Sequence, residues 1–309
     1  MDALEYPDPP VSLVQFNDRV EAIAGALDIP IERARTLIGS VIVAQMLPDE
    51  AVVKGGIGVK FRLGEVGTRA TADMDVATRN RSTFLDELNH RLEIGWGTVP
   101  ASRGALKRNP DAPPRLAFSG RARAAKQARP DGVLAEYLME PYDVTLHFVG
   151  KPWKKVHVEV GHDEIGGLED AYHPTEIANQ IAAIGRVLDF GELAPVPLIS
   201  LEQQIAQKIH AATEQGSTRA HDLVDLQLLW HAGTLGGQGL DLPKLADRCR
   251  RTFAYRQAHT WPPISAMSNA LETRYQVAKN EANQADLLVA TLPEACAWLN
   301  ARIEEIDTH

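Results

Sequence analysis

The stretch KGGIGVKFRLGEVGTRATADMDVA, Lys54 to Ala77, decides the fold prediction. A short apolar run, Ala51 to Val53, comes just before it and predicts a strand that enters a glycine turn at Gly55 and Gly56. Two glycines at this point let the backbone approach a phosphate chain without interference from side chains. The amides of the following turn can then face phosphate oxygens, so the pattern favours an anion site.

Two acids close the same stretch. Met74 and Val76 alternate with Asp73 and Asp75, which is typical of a strand that carries both carboxylates on one face. Such hard oxygen ligands suit Mg²⁺, with Mn²⁺ as the alternative, and a shared pair of ions would activate a hydroxyl and steady a leaving pyrophosphate. The alternative is an ordinary turn followed by a solvent-facing strand. Two glycines followed about 17 residues later by Asp-x-Asp are a more specific pattern than either motif alone, and this order favours the metal site.

A third carboxylate is expected from a later strand. The β-rich runs Tyr142 to Val149 and Lys155 to Val160 predict a hairpin. On its second arm Glu159 alternates with valines in a way that would put it on a carboxylate-bearing face. Asp143 on the first arm is the competing candidate, and in a third interpretation neither of them binds metal.

The segment LEQQIAQKIHAATEQGSTRAHDLVDLQLL, Leu201 to Leu229, predicts two helices. Lys208 lies beside the apolar stripe of the first helix, where a lysine either extends to water or has an anionic partner. Asp222 and Asp225 on the second helix are three residues apart and repel each other unless a cation lies nearby. A binding role for Lys208 therefore competes with a purely structural salt bridge to one of these acids.

Both motifs resemble those of the AbiEii/AbiGii nucleotidyltransferase toxins, including the MenT group, in the DNA polymerase β-like superfamily. The family's K-G-G-x-x-[LV] and [ST]-x-D-x-D motifs are matched by Lys54, Gly55, Gly56 and Val59, then by Thr71, Asp73 and Asp75. Its E-x-x-x-A-x-K-x-x-A helix and R-x-x-D-x-x-D motif are matched by Glu202, Ala206, Lys208, Ala211, Arg219, Asp222 and Asp225. The two motifs lie in different halves of the chain.

This resemblance implies an α/β (α+β) fold of two lobes. The first would be a polymerase β-like nucleotidyltransferase domain with a mixed sheet, over residues 1–195. The second would be a helical domain over residues 196–309, since a proline-bearing stretch near Phe190 to Ser200 predicts the boundary. The active site is expected in the cleft between the lobes.

The implied reaction moves a nucleoside monophosphate from a nucleoside triphosphate to an acceptor, the 3′ end of tRNA, in a toxin controlled by a cognate antitoxin. The expected metal ligands are Asp73, Asp75 and Glu159. The expected nucleotide contacts are Lys54, Gly55, Gly56, Lys60, Arg69 and Lys208, and Asp222 would complete the catalytic site with Asp73, Asp75 and Lys208. Nucleotidylation of a protein or small molecule, and a non-catalytic interaction protein that keeps the fold, remain the alternatives. Whether Thr71 is a phosphorylation site is not decided by the sequence.

Charge is distributed unevenly in this acidic chain. The net charge is −9, which argues against a protein that coats nucleic acid with its whole surface. Between Val99 and Pro130, however, eight basic residues face one acid. We predict there either a phosphate-contacting arm or a solvated loop. Only two cysteines and no long apolar run are present, so we expect a cytoplasmic protein without a membrane span.

Overall fold

The computed structural model describes residues 6, 8–126, 138–163, 177–235 and 239–309. These residues form two compact units. The first consists of the described residues within Met1–Glu65, Ala72–His162 and Pro174–Leu198, and the second of those within Val66–Thr71, Asp163–His173 and Ile199–His309. The predicted boundary is between residues 195 and 196, and the first unit ends at Leu198, whereas the assignment of Val66–Thr71 to the second unit was not predicted.

A mixed sheet of six strands forms the centre of the first unit, in the order β1-β2-β6-β5-β4-β3. The strands are β1 Ala51–Val53, β2 Asp73–Thr78, β3 Trp96–Val99, β4 Arg115–Ala124, β5 Glu140–Phe148 and β6 Lys151–His162. β2 and β6 run parallel, and the other neighbours are antiparallel. The expected mixed α/β architecture is confirmed.

Helices cover the apolar face of this sheet. The helices of the first unit are α1 Leu13–Leu27, α2 Ile31–Ala44, α3 Gly55–Leu63, α4 Arg81–Ile94, α5 Arg103–Arg108 and α6 Asn179–Leu188. Gly39 of α2 lies so close to β6 that an added Cβ would be 3.0 Å from a Val156 methyl. Asn89 of α4 accepts a hydrogen bond from the Ala122 amide of β4 at 2.9 Å. The opposite face of the sheet is therefore left for polar side chains.

Aromatic rings fill the centre of the core between α1 and the sheet. The ring of Phe16 stacks on Phe148 at 4.6 Å and meets the edge of Phe118 at 5.3 Å. Phe190 contacts Phe118 at 5.0 Å. These rings are fully or almost fully buried, and burying each contributes ~1.5–3 kcal/mol. They hold the strands that carry the polar face.

The predicted hairpin is confirmed as β5 and β6. Val149 and Gly150 form its tight turn, with φ of 49° and 76°. Positive φ at both central positions matches the right-handed twist of the strands. The hairpin thus aligns Glu159 of β6 and Asp143 of β5 on the same face, because Pro141 is the partner of the first and His157 of the second.

One local prediction is wrong. Gly55 and Gly56 were expected in a turn, but they begin α3 directly after Lys54. Gly55 has no Cβ and can therefore adopt its φ of 61° at the first position of this helix.

The basic stretch is not a loop over its described part. It contains α5 and the whole of β4, and a short connection joins them. Arg121 and Arg123 of β4 are exposed. Arg129 lies outside the described residues, so nothing follows for the end of the predicted arm.

The described part of the second unit is helical. Its helices are α7 Leu201–Thr213, α8 Ala220–Leu235, α9 Leu242–Arg256, a 3₁₀ turn at Asn269–Leu271, α10 Glu272–Ala282 and α11 Leu292–Asp307. Ser200 accepts a hydrogen bond from the Gln203 amide at 3.2 Å and caps α7. Among the described residues, no helix is both long and apolar enough to cross a bilayer.

Candidate active site

Strand β2 presents two carboxylates on the polar face of the sheet. Met74 and Val76 are buried, whereas Asp73 is exposed and Asp75 is half-buried. This alternation follows from the two-residue period of a strand. The prediction that Asp73 and Asp75 share one face is confirmed.

Glu159 is the third acid on this face. It pairs with Asp75 across the parallel β2 and β6 strands, which run about 4.8 Å apart. Burial raises the pKa of the Glu159 carboxyl, and the charges of Asp75 and then Asp73 raise it further. The three acids therefore repel one another, which is the arrangement that a divalent cation relieves.

Asp143, the competing candidate, lies in a different environment. Its carboxylate accepts a hydrogen bond from Lys155 at 3.0 Å and contacts the His157 ring at 3.2 Å. The Lys155 ammonium first, and then the hydrogen bond with His157, lower the pKa of Asp143. Asp143 is already neutralised by protein groups, so the geometry favours Glu159 as the third acid.

The first turn of α3 meets the Asp75 carboxylate. A Cβ on Gly55 would lie 1.7 Å from Asp75 Oδ2, and Gly55 has a φ of 61°. Only glycine therefore allows the helix to begin against this carboxylate. Gly56 follows as the second residue of α3 and is half-buried. The backbone amides and positive dipole of a helix start favour anionic groups at such a place.

Lys54 approaches the acids from the residue before α3. Its amide donates to the Asp75 carbonyl at 2.9 Å, and its Nζ lies 3.8 Å from Met139 Sδ. A Cβ on Gly161 of β6 would be only 3.1 Å from Lys54 Nζ. The Lys54 charge also opposes the rise in the pKa of Glu159. Gly161 is a residue that the sequence did not reveal, because only the folded sheet brings it to Lys54.

Lys60 lies elsewhere in the first unit. It is 2% exposed and forms an ion pair with the fully buried Glu65 at 2.8 Å. Arg33 also pairs with Glu65. In the structure the charge of Lys60 is balanced by buried Glu65, and the nucleotide contact of Lys60 stays a prediction.

Arg69 and Lys208 belong to an ion network in the second unit. Lys208 Nζ lies 2.7 Å from Asp222 Oδ1 and 2.6 Å from Asp225 Oδ2. Arg69 donates to both oxygens of Asp225, at 2.9 and 3.1 Å. Arg219 contacts Asp222 at 2.8 Å. The salt bridge that the sequence left open for Lys208 is therefore present.

Lys208 and both acids of this network are buried, with Asp222 and Asp225 at 0% and 1% exposure. Burial opposes ionisation of Asp222, but the Lys208 and Arg219 charges outweigh it, so the pKa of this carboxyl lies below its ordinary value. Burial likewise opposes the charge on Lys208, and the two acids raise its pKa above the ordinary lysine value. The phosphate role of Lys208, the nucleotide role of Arg69 and the catalytic role of Asp222 remain predictions.

The acids of the first unit fit a divalent cation in their chemistry. Across the described residues, no group of three or more His, Cys, Asp or Glu side chains is arranged so that it could hold a metal ion. Asp73, Asp75 and Glu159 nevertheless share one face, and their mutual repulsion is recorded in the pKa of Glu159. Mg²⁺ binds through one or two carboxylates and takes its other ligands from water and phosphate, so it does not require a complete protein cage.

Comparison with known proteins gives the family. The family model of the nucleotidyl transferase AbiEii toxin, of type IV toxin–antitoxin systems, matches residues 37–301. No curated protein matches the chain in sequence. MenT4, a nucleotidyltransferase toxin from Mycobacterium tuberculosis, is a similar solved structure, with 14% identity and a TM-score of 0.47 over 97% of this chain and 99% of that one.

A second similar structure, described as a candidate nucleotidyltransferase from H. pylori, has 12% identity and a TM-score of 0.40 over 89% of this chain and 93% of that one. The family match covers well over half of the chain and includes every residue of both motifs. The chain therefore belongs to the AbiEii family of nucleotidyltransferase toxins of type IV toxin–antitoxin systems.

Proposed function

We propose that this chain transfers a nucleoside monophosphate from a nucleoside triphosphate to the 3′ end of tRNA, at the acids of the first unit. One observation carries the proposal. Asp75 and Glu159 are paired neighbours on adjacent strands, and α3 begins against Asp75 at a residue that must be glycine. Family membership supplies the reaction class, and the acids supply the place where it would occur.

The proposed roles follow from charge and position. Bound Mg²⁺, or Mn²⁺, would supply Lewis acidity for the attacking hydroxyl and the leaving pyrophosphate. Asp73, Asp75 and Glu159 would hold the ions through carboxylate oxygens. The amides of Gly55 and Gly56 at the start of α3 would face triphosphate oxygens, and the Lys54 ammonium would balance their charge.

Lys208 and Asp222 enter the proposal through the family motifs. Lys208 would contact the nucleotide phosphates, and Asp222 would complete the catalytic geometry. In the structure both acids already neutralise Lys208. A phosphate would have to share this ammonium with Asp222 and Asp225, so the role of Lys208 needs a test that separates binding from folding.

The biological part of the proposal is also inferred. The family description places these proteins in toxin–antitoxin systems, so we expect a cognate antitoxin as partner. We propose tRNA as acceptor because a polyanionic strand would suit the exposed arginines of β4, which lie on the same face as the acids.

The decisive experiment uses the intact chain with each labelled nucleoside triphosphate, Mg²⁺ and total tRNA. Wild-type protein should label tRNA and release pyrophosphate, and EDTA should abolish both. Asp75→Asn should lower the rate by at least ~100-fold, because it removes a metal ligand without changing shape. Asp86→Asn is the matched control, since Asp86 is exposed on α4 away from the acids, and its rate should equal that of wild type.

Parallel incubations with a protein pool and a small-molecule pool test the acceptor. Label in either pool, with none in tRNA, would reject the tRNA acceptor and keep the reaction class. Partner binding that needs no Mg²⁺, with no pyrophosphate release from any pool, would reject the enzyme and favour a non-catalytic interaction protein.

A further inference from the structure

The polar face of the sheet extends well beyond the three acids. In one row of paired residues, Asp73 of β2 lies beside His157 of β6, then Asp143 of β5, then Arg123 of β4. The opposite face in the same region is apolar and buried, with Val144 and Ala122 at 0% and 3% exposure. Arg123 therefore points to the same side as the acids.

Arg121 extends this cationic edge. It pairs with Thr145 of β5, which in turn pairs with Lys155 of β6. Both Arg121 and Arg123 are exposed, and neither makes an ion pair with any residue that the structure describes. Lys155 differs, because Asp143 already neutralises it at 3.0 Å. The two arginines are thus the cations available to a ligand in these rows.

Their distance from the acids suits a nucleic acid strand. Strands lie about 4.8 Å apart, so β4 is ~10 Å from β6 and ~14 Å from β2 across the sheet. A stacked strand advances ~3.4 Å per nucleotide. A strand whose 3′ hydroxyl lies at the acids would therefore place a phosphate about three or four nucleotides upstream beside Arg121 and Arg123.

Several other basic groups among the described residues have different surroundings. In the second unit Arg250 lies 3.7 Å from Asp307, Arg251 lies 3.6 Å from Asp247, and Arg248 is buried. In the first unit, Arg103 and Lys107 lie on α5, which precedes β4, and β4 begins at Arg115. Arg121 is six residues further along β4, or ~20 Å away. Arg121 and Arg123 are therefore chosen as candidate phosphate ligands by their position relative to the acids, and not by the total charge of the region.

We propose that Arg121 and Arg123 bind a backbone phosphate of the acceptor RNA strand, upstream of the 3′ hydroxyl that receives the nucleotide. This inference rests on the proposed function for its acceptor. The guanidinium fork pairs with phosphate oxygens in a bidentate way and reads no base. These two residues then hold the strand in register with the acids, and they contribute to acceptor affinity and not to the chemical step.

The test compares wild type with an Arg121→Ala/Arg123→Ala variant, using total tRNA as the probe. We expect the KM for tRNA to rise on the order of tenfold to a hundredfold, with kcat at saturation and the KM for nucleoside triphosphate unchanged. The slope of log kcat/KM against log salt should become shallower by ~0.7, the change expected when a single strand loses one phosphate contact. The Arg121→Lys/Arg123→Lys variant keeps both charges and should keep most of the slope.

The control is Arg103→Ala/Lys107→Ala, which removes the same charge from α5. An equal loss in this control would overturn the proposal in favour of a general charge effect. So would an Arg121→Ala/Arg123→Ala variant with wild-type KM and salt slope. Both substituted sites are exposed, so we expect the fold to survive, and circular dichroism checks this.

Direct binding separates this inference from the proposed function. Fluorescence anisotropy with end-labelled tRNA measures affinity without turnover. If wild type binds tRNA, the alanine variant does not, and no nucleotide is transferred, the arginine site stands and the proposed reaction fails. If transfer to tRNA occurs and the variant binds as wild type does, the arginine site fails and the reaction stands. A wild-type protein that does not bind tRNA rejects the arginine site.

Discussion

Gly55 is the single residue at which the candidate site tolerates least change. An alanine Cβ would lie 1.7 Å from Asp75 Oδ2, on a backbone with φ 61°. The Asp75 carboxylate would have to turn away from its present position. We expect Gly55→Ala to lower nucleotidyl transfer by about 100-fold or more and to weaken metal-dependent nucleotide binding, as measured by single-turnover kinetics and by titration with Mg²⁺ and nucleotide.

Backbone strain alone predicts a different result, and Gly216 isolates it. This glycine also has positive φ, at 75°, but no atom lies within 4 Å of its Cβ position. Gly216→Ala should cost about 1–2 kcal/mol of stability and keep its activity. Equal activity in the two variants would show that the contact between α3 and Asp75 is not needed for the reaction.

Lys208 can be tested first for its structural role. Replacing it with alanine leaves Asp222 and Asp225 buried and mutually repelling, whereas wild type holds both within 2.7 Å of the ammonium. Breaking such a buried pair costs about 3–5 kcal/mol, so the midpoint of urea unfolding should fall sharply. Arg219→Ala removes a 56% exposed partner of Asp222, and this control should cost no more than about 1 kcal/mol.

The same Lys208 variant then addresses the phosphate role. Activity is measured at a temperature where circular dichroism shows the variant folded. A phosphate ligand requires a large rise in the KM for nucleoside triphosphate under these conditions. Wild-type KM and kcat in the folded variant would leave the ion network as the only role of Lys208.

At the scale of elements, the acids of β2 and β6 make the metal-free site pH-sensitive. The folded-state pKa of Glu159 lies above its unfolded value, because of burial and then the charges of Asp75 and Asp73. The folded state thus binds the proton more tightly, and stability falls as pH rises through the ordinary glutamate pKa toward the raised one. In EDTA above this window, Glu159→Gln should raise Tm by about 1–2 °C, a small effect because the side chain is 38% exposed.

Calorimetry across pH checks this sign. The difference between Glu159→Gln and wild type should shrink as the pH falls and Glu159 becomes protonated. It should also shrink or reverse when Mg²⁺ is added, because wild type gains a ligand-stabilised state that the variant lacks. A variant less stable than wild type in EDTA at neutral pH would contradict the mutual repulsion of the three acids.

Periodicity was enough to predict several of these elements. The alternation in β2 placed Asp73 and Asp75 on one face, and the β-rich runs around Gly150 predicted the hairpin that carries Glu159. Both patterns are local, so a single sequence contains them. The parallel pairing of Asp75 with Glu159 joins strands more than 80 residues apart. The sequence predicted Glu159 as a third acid, but it did not predict which residue of β2 pairs with Glu159.

Long-range partners explain what the sequence could not predict. Glu65, the buried partner of Lys60, also pairs with Arg33 from 32 residues away, and Arg69 pairs with Asp225 from the far half of the sequence. From the sequence alone, a basic residue near a glycine motif that binds a phosphate cannot be distinguished from one that pairs with a buried acid. Gly161 shows the same limit, because its lack of a side chain matters only once Lys54 lies beside it.

At the scale of the whole molecule, the two units should respond differently to acid. Burial lowers the pKa of His210 to about 3 and that of His221 to about 4. The unfolded state therefore takes up these protons first, and each histidine removes up to ~1.4 kcal/mol per pH unit as the pH falls below ~6.5. The lowered pKa values of Asp222 and Asp225 continue this loss below the ordinary aspartate range.

In the first unit the raised pKa of Glu159 favours the folded state as the pH falls, and the lowered pKa of Asp143 reduces stability only in the ordinary aspartate range and below. We therefore expect the second unit to open at a higher pH than the first. Hydrogen exchange followed by mass spectrometry, corrected for the intrinsic pH dependence, should show α7 and α8 losing protection before β5 and β6. His210→Gln cannot take up the proton and should move the opening of α7 to lower pH, whereas the exposed His90→Gln in α4 should not. Loss of protection at the same pH in both units, unchanged by His210→Gln, would mean that these histidines do not set the acid limit of the fold.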